Sequence, residues 1–125
     1  MELIKTDVLV IGGGSGGLSV AAGVVQMGAR VVLLEGHKMG GDCLNYGCVP
    51  SKALLATASM AHAQGGNAAM GVESAEKSID YGTAKDFVAS VIGQIAPHDS
   101  VARFEGLGVD VIEAFGRFIS PTEVQ

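Results

Sequence analysis

Cys43 and Cys48 are the two cysteines of the chain; they stand five positions apart, and Lys52 follows four positions later. A thiolate is a nucleophile and a soft metal ligand, and two thiols at close range can exchange two electrons by closing and opening a disulfide. In one regular helix, five residues at about 1.5 Å rise would part the cysteines by roughly 7.5 Å along the axis. That exceeds the ~7 Å Cα separation a bridge tolerates. A bridge therefore requires a distorted turn, and Gly47, immediately before Cys48, permits one. A small constrained loop of this kind suits a bridge that opens and closes.

Three readings of the pair stand side by side: redox chemistry, a metal site, and two unrelated buried cysteines. C-x4-C supplies only two sulfur ligands, and the sequence offers no second cysteine pair or paired-histidine motif to complete a zinc site. The run Pro50-Ser51-Lys52-Ala53-Leu54-Leu55 reads as a helix whose positive end lies by the thiols and favours thiolate. Lys52 in a first helical turn is poorly placed against the helix dipole, which points to a functional rather than a surface role. His37, His62 and His98 read as surface or satisfied core residues, none assigned as a base to a cysteine.

The elements before the cysteines read as a dinucleotide platform. Asp7-Val8-Leu9-Val10-Ile11 is a β-branched apolar run ended by glycine, which suits a buried strand of a parallel sheet. Gly12-Gly13-Gly14-Ser15-Gly16-Gly17 fits G-x-G-x-x-G and opens a small-residue helix from Leu18 to about Met27. Gly12 suits the tight turn, Gly14 the approach of a pyrophosphate to the backbone, and Gly17 close packing of helix on strand. Val31 to Leu34 is the next strand, and Glu35 ends it eighteen residues after Gly17, where an acid accepts hydrogen bonds from ribose hydroxyls. A glycine-rich turn with a surface Glu shares single features of this pattern, but strand, glycines, helix, strand and acid occur in order. The fingerprint does not separate FAD from NAD; Glu35 argues only against a 2′-phosphate. The fold class expected is α/β, a Rossmann-like parallel sheet with flanking helices.

Downstream, an alanine-rich helix runs to Gln64 before Gly65-Gly66, and residues 65–82 read as a loop. Thr83-Ala84-Lys85-Asp86 resembles a capping box, after which Phe87, Val88, Val91, Ile92 and Ile95 recur at helical spacing, as core or a subunit contact. Pro97 breaks that helix, Asp99 or Ser100 caps a further piece, and Gly106-Leu107-Gly108 ends it. Val109 to Ile112 reads as a third strand, Phe115-Gly116-Arg117-Phe118 as a turn, and Pro121 to Gln125 as part of another strand.

With 125 residues, 48% hydrophobic and 17% charged, the chain can bury a core, and its 8 basic against 13 acidic residues give a net charge of -5. That balance gives no electrostatic footprint for nucleic acid or an anionic membrane. The charged start Met1 to Asp7 and the lack of a long apolar run point to the cytoplasm, where ordinary cysteine pairs stay reduced.

The stretch Gly40-Gly41-x-Cys43-Leu44-Asn45-x-Gly47-Cys48-Val49-Pro50-Ser51-Lys52 closely resembles the redox-disulfide signature of the pyridine nucleotide-disulfide oxidoreductases, of the dihydrolipoamide dehydrogenase and mercuric reductase type. The fingerprint, the acid and the signature fall in that family's order. The resemblance implies FAD on the fingerprint, held by Gly12, Gly14, Ser15, Gly16, Gly17, Glu35 and Gly36. Gly41, Asp42, the two cysteines, Lys52 and the backbone of Gly116 would complete the site. It implies a Cys43–Cys48 disulfide, with Cys48 facing the flavin, Cys43 attacking substrate, and Lys52 stabilising the reduced flavin. Asp42 and Tyr46 depart from the commonest pattern, and an extra carboxylate beside Cys43 would disfavour its thiolate.

On this resemblance residues 1–125 are the first part of an FAD-binding domain, with a redox-disulfide helix over 43–64. The NAD(P)-binding and C-terminal interface domains of such an enzyme are expected to lie outside these residues. A full-length enzyme is expected to be a homodimer using NAD(P)H and acting on a small disulfide, dithiol or metal ion; the chain alone is expected not to turn over. The alternative is a non-catalytic module holding a nucleotide or a soft metal ion through Cys43 and Cys48.

Overall fold

Three parallel strands in the order β1 (Val8–Ile11), β2 (Val31–Leu34), β3 (Val109–Ile112) set the frame, with Val8 beside Val31 and Val31 beside Val109. The computed structural model describes residues 3–76 and 78–125; Met1, Glu2 and Lys77 lie outside. β2, flanked on both edges, is buried along its whole length, as its unbroken Val-Val-Leu-Leu run requires in a parallel sheet. The sheet continues one bond past each strand end: Gly12 N–H donates to the Leu34 carbonyl (2.8 Å) and Glu35 N–H to that of Ile112 (3.1 Å).

Helix α1 (Ser15–Gln26) returns the chain from β1 to β2. It begins three residues before the expected Leu18. Glycine's low helix propensity hides a first turn that Gly16 and Gly17 nevertheless form. One core cluster joins Leu18 and Ala21 of α1, Val10, Val31, Leu33 and Val109 of the sheet, and Phe104. Phe104 belongs to α5 (Val101–Gly106), which Ser100 caps by accepting from Arg103 N–H at 3.2 Å.

Between β2 and β3 lie α2 (Gly41–Asn45), α3 (Cys48–Ala63) and α4 (Tyr81–Ile95). α3 and α4 pack on each other, outside the sheet core cluster, and Phe87 of the expected apolar stripe is 47% exposed. The cap of α4 is Asp80, whose carboxylate accepts from the N–H and hydroxyl of Thr83 (3.2 and 2.8 Å), so Thr83 is the capped residue and not the cap. A carboxylate at the N-cap reaches the N3 amide and suits the helix dipole. Pro97 falls in a 3-10 turn, Ala96–Asp99, that separates α4 from α5. The C-terminal segment forms an antiparallel pair, β4 (Phe118–Ser120) and β5 (Glu123–Val124). Among the described residues no helix is long and apolar enough to cross a membrane.

Candidate dinucleotide and dithiol site

The fingerprint glycines occupy the C-terminal edge of the sheet. Gly12 turns the chain at φ +104, in the left-handed region that glycine enters freely. A side chain on Gly17 would fall on the Gly12 carbonyl and against Val10, so its absence is what lets α1 sit down on β1. Gly14 is the N-cap of α1; it offers no side-chain cap, and no acid stands in the first turn. A Cβ on Gly12 or Gly16 would meet nothing within 4 Å, leaving this helix end open to an anion. The residues present therefore fit a dinucleotide's phosphates.

Glu35 ties the platform together. Its Oε2 accepts the N–H of buried Gly13 at 2.6 Å, and its Oε1 accepts those of His37 (2.6 Å) and Lys38 (3.1 Å). The carboxylate is thus aimed by backbone donors, with acceptor capacity left on Oε2. Gly13, an unassigned position of the sequence motif, is the residue that orients it. Gly36 and Gly116 stand nearby for packing reasons: a Cβ on Gly36 would fall on the Phe115 ring, and one on Gly116 within 2.5 Å of Leu34 Cδ1 and 2.9 Å of Val124 Cγ1.

The nucleotide loop abuts the cysteine segment directly. Gly40 N–H donates to the Gly13 carbonyl at 2.8 Å, Gly14 and Gly40 form a parallel bridge, and a Cβ on Gly41 would stand 2.7 Å from Gly14 Cα. Gly40 and Gly41 both take positive φ, +86 and +57.

The expected single helix over 43–64 is two. α2 ends at Asn45 and α3 starts at Cys48, with Tyr46 and Gly47 (φ -121, ψ -104) between. A Cβ on Gly47 would come within 3.0 Å of the Asp42 carbonyl oxygen and 3.7 Å of Cys43 Cα. Glycine there lets the start of α3 close on α2. Pro50, in the first turn of α3, has no N–H to leave unpaired. Asn45 pins the end of α2 from inside by donating to the carbonyls of Met39 (3.1 Å) and Gly41 (2.9 Å).

The break brings the Cys48 thiol close enough to act on the titration of the Cys43 thiol. Cys43 is half-buried and Cys48 exposed, and the structure holds them as free thiols rather than as the expected disulfide. The Cys48 thiol, as hydrogen-bonding neighbour, pushes the Cys43 thiol above its ordinary 9.0, and burial adds to this. The Cys48 backbone N–H and the Lys52 ammonium act the other way and are outweighed. The expectation that a helix end favours thiolate at both cysteines thus fails for Cys43, where the Cys48 thiol and burial outweigh the groups that favour the thiolate. Asp42, exposed in the first turn of α2, is not among the groups that set this shift.

Lys52 shares one face of α3 with Cys48, one turn on, and is exposed. A concavity of about 270 Å³ between the two halves is lined by Glu35, His37, Lys38, Gly41, Asp42 and Tyr46. His37, Lys38 and Tyr46 escape a sequence reading because their contact depends on the break at Gly47; the one signal is Tyr46's departure from the usual pattern. His62 and His98 are exposed. Among the described residues no three His, Cys, Asp or Glu side chains gather to hold a metal ion.

Residues 6–114 match the family described as pyridine nucleotide-disulphide oxidoreductase. The chain is 32% identical to a dihydrolipoyl dehydrogenase of Pseudomonas aeruginosa over 98% of its own length, and 38% identical to that of Haloferax volcanii over 90%. A mitochondrial dihydrolipoyl dehydrogenase of Pisum sativum is 36% identical over 96%. The chain spans 27%, 23% and 24% of these relatives. The HOCl-induced flavoprotein disulfide reductase RclA of Escherichia coli, in its Cu(II) complex, shares the fold, with a TM-score of 0.74, 23% identity and coverage of 94% of this chain and 24% of that one. The α/β architecture with its parallel sheet is therefore the one expected, and the chain belongs to the pyridine nucleotide-disulphide oxidoreductase family, which is FAD- and NAD(P)H-dependent.

Proposed function

We propose that this chain is the FAD-binding, dithiol-bearing part of a dithiol–disulfide oxidoreductase that acts on a small disulfide or dithiol. The observation that carries the reading is the break at Gly47, which seats Cys48 against Cys43 in a segment whose first glycines abut Gly14 of the nucleotide loop. Gly12, Gly14, Ser15, Gly16 and Gly17 would hold the pyrophosphate at the end of α1, and Glu35 and Gly36 the ribose side. Gly41, Asp42 and the backbone near Gly116 would border the cofactor. When bound, FAD supplies two-electron transfer between NAD(P)H and the thiol pair.

The chain's own chemistry is thiol–disulfide exchange. Cys43 as thiolate attacks one sulfur of the substrate disulfide; that S–S bond breaks, and the departing sulfur takes a proton. Cys48 as thiolate then attacks the Cys43 sulfur, releasing the second substrate thiol and leaving a Cys43–Cys48 disulfide. Two electrons and two protons pass from the dithiol to the substrate. Cys48 and Lys52 share one face of α3, which supports assigning that face to the flavin and Cys43 to the substrate. The full-length protein is read as a cytoplasmic homodimer whose NAD(P)H site and interface domain lie beyond these residues, so the chain alone is not competent for turnover.

Flavin fluorescence quenching tests the reading. The chain is expected to bind FAD and the Gly14→Val variant to lose it, while the chain consumes no NAD(P)H in steady state. Absence of flavin binding by the folded chain, or sustained turnover by it, contradicts the proposal.

A further inference from the structure

The break between α2 and α3 is pinned from inside by Asn45, and from outside by Tyr46. Tyr46 is the C-cap of α2, its N–H donating to the Asp42 carbonyl at 2.9 Å. Its side chain reaches across to the loop after β2. The phenol oxygen lies 3.3 Å from His37 Nε2, the two rings stack at 6.4 Å and 18°, and the Lys38 ammonium stands 5.6 Å from the ring centroid. The backbone amides of His37 and Lys38 are themselves fixed on the Glu35 carboxylate. Tyr46 is therefore clamped to a loop of the nucleotide platform that Glu35 anchors, and the next two residues are Gly47 and Cys48.

We infer that Tyr46 is a positioning residue for the dithiol: by clasping His37 and Lys38 it holds the α2–α3 break that seats Cys48 against Cys43. A C-x4-C pair closes a disulfide only if the intervening turn is non-helical. Restricting that turn beforehand removes part of the entropy lost on ring closure and favours the bridge. Tyr46 is 58% exposed, so the clasp adds little to the core and acts on the local geometry. The inference rests on the pair being redox-active.

The test is a bridging equilibrium read without turnover. The chain is equilibrated in glutathione redox buffers, quenched in acid and alkylated, and the bridged fraction is measured by mass spectrometry. With Tyr46→Ala the equilibrium constant for Cys43–Cys48 closure is expected to fall about fivefold, the scale of one net hydrogen bond plus an aromatic contact. Tyr46→Phe, which keeps the stack and the cation contact, should lose only about twofold on the same scale. His37→Ala, an exposed substitution that keeps the backbone bond to Glu35, gives the answer should Tyr46→Ala not fold, with a loss of at least the Tyr46→Phe size. Unchanged bridging in Tyr46→Ala, or in His37→Ala if the former is unfolded, overturns the inference, even if the melting temperature drops. A wild-type chain that never bridges in any buffer overturns the redox reading beneath it, a distinguishable outcome.

Discussion

Gly41 Cα faces Gly14 Cα across the junction of the two motifs so closely that a methyl group on Gly41 would stand 2.7 Å from it. The nucleotide loop and the cysteine segment are thus one packed unit, joined where neither residue has a side chain.

This pair separates folding from binding. Gly41→Ala meets both the clash and a φ of +57, and should destabilise the chain by on the order of 1–3 kcal/mol. Gly14→Ala would place its Cβ at an ordinary 3.9 Å from Gly41 Cα, and should cost no more than about 1 kcal/mol as a poorer N-cap. It intrudes where a pyrophosphate would approach, so flavin affinity should fall by about tenfold or more. Urea unfolding and flavin fluorescence measure the two effects separately.

Two glycines of α1 should respond with opposite sign. Gly17→Ala drives a Cβ onto the Gly12 carbonyl and should cost about 1–3 kcal/mol. Gly23→Ala, exposed with nothing within 4 Å of the added carbon, should stabilise by roughly 0.5–1 kcal/mol through helix propensity. Thermal melts of the two variants check the order: Gly17→Ala below wild type, Gly23→Ala above it.

Removing the neighbour should release the Cys43 proton. In Cys48→Ala the hydrogen-bonding thiol that raises Cys43 is gone while the backbone N–H that lowers it remains. The pH midpoint for iodoacetamide reaction at Cys43 should move down, with a severalfold faster rate near pH 8. In the intact chain the folded value lies above the ordinary 9.0. The contribution to stability is then complete below that pH and is lost as pH rises through the folded value.

Asp80 works in the acid range with the opposite sign. Its hydrogen bonds from the Thr83 side chain and backbone hold its carboxyl below 3.8. The contribution is therefore present above that value and is lost as pH falls through the folded value. Asp80→Asn should melt below wild type at neutral pH and converge with it as pH falls through the folded value, as circular dichroism melts would record.

The sheet was legible because its strands are short valine-, leucine- and isoleucine-rich runs: Val31–Leu34 and Val109–Ile112 fall where the sequence puts them. Gly12 and Gly17 were legible because each answers one steric demand, a positive φ at the turn and close packing of helix on strand. What escaped depends on contacts across the fold. α1 starts at Ser15 because packing on β1 overrides the poor propensity of Gly16 and Gly17. Asp80 displaced Thr83 as cap because both are good caps and only the chain path decides. The Tyr46–His37–Lys38 clasp joins residues of a loop and a helix end, and its one sign in the sequence is the departure of Tyr46 from the commonest pattern.

The most direct test of the central claim is peptide mapping of the reduced chain after exposure to a small aliphatic disulfide. Loss of two hydrogens with a Cys43–Cys48 bridge, and a trapped mixed disulfide on Cys43 in Cys48→Ser, are the expected results. Stable adducts on both cysteines without closure, or two thiols left unreacted, would contradict the assignment of this pair as a redox dithiol.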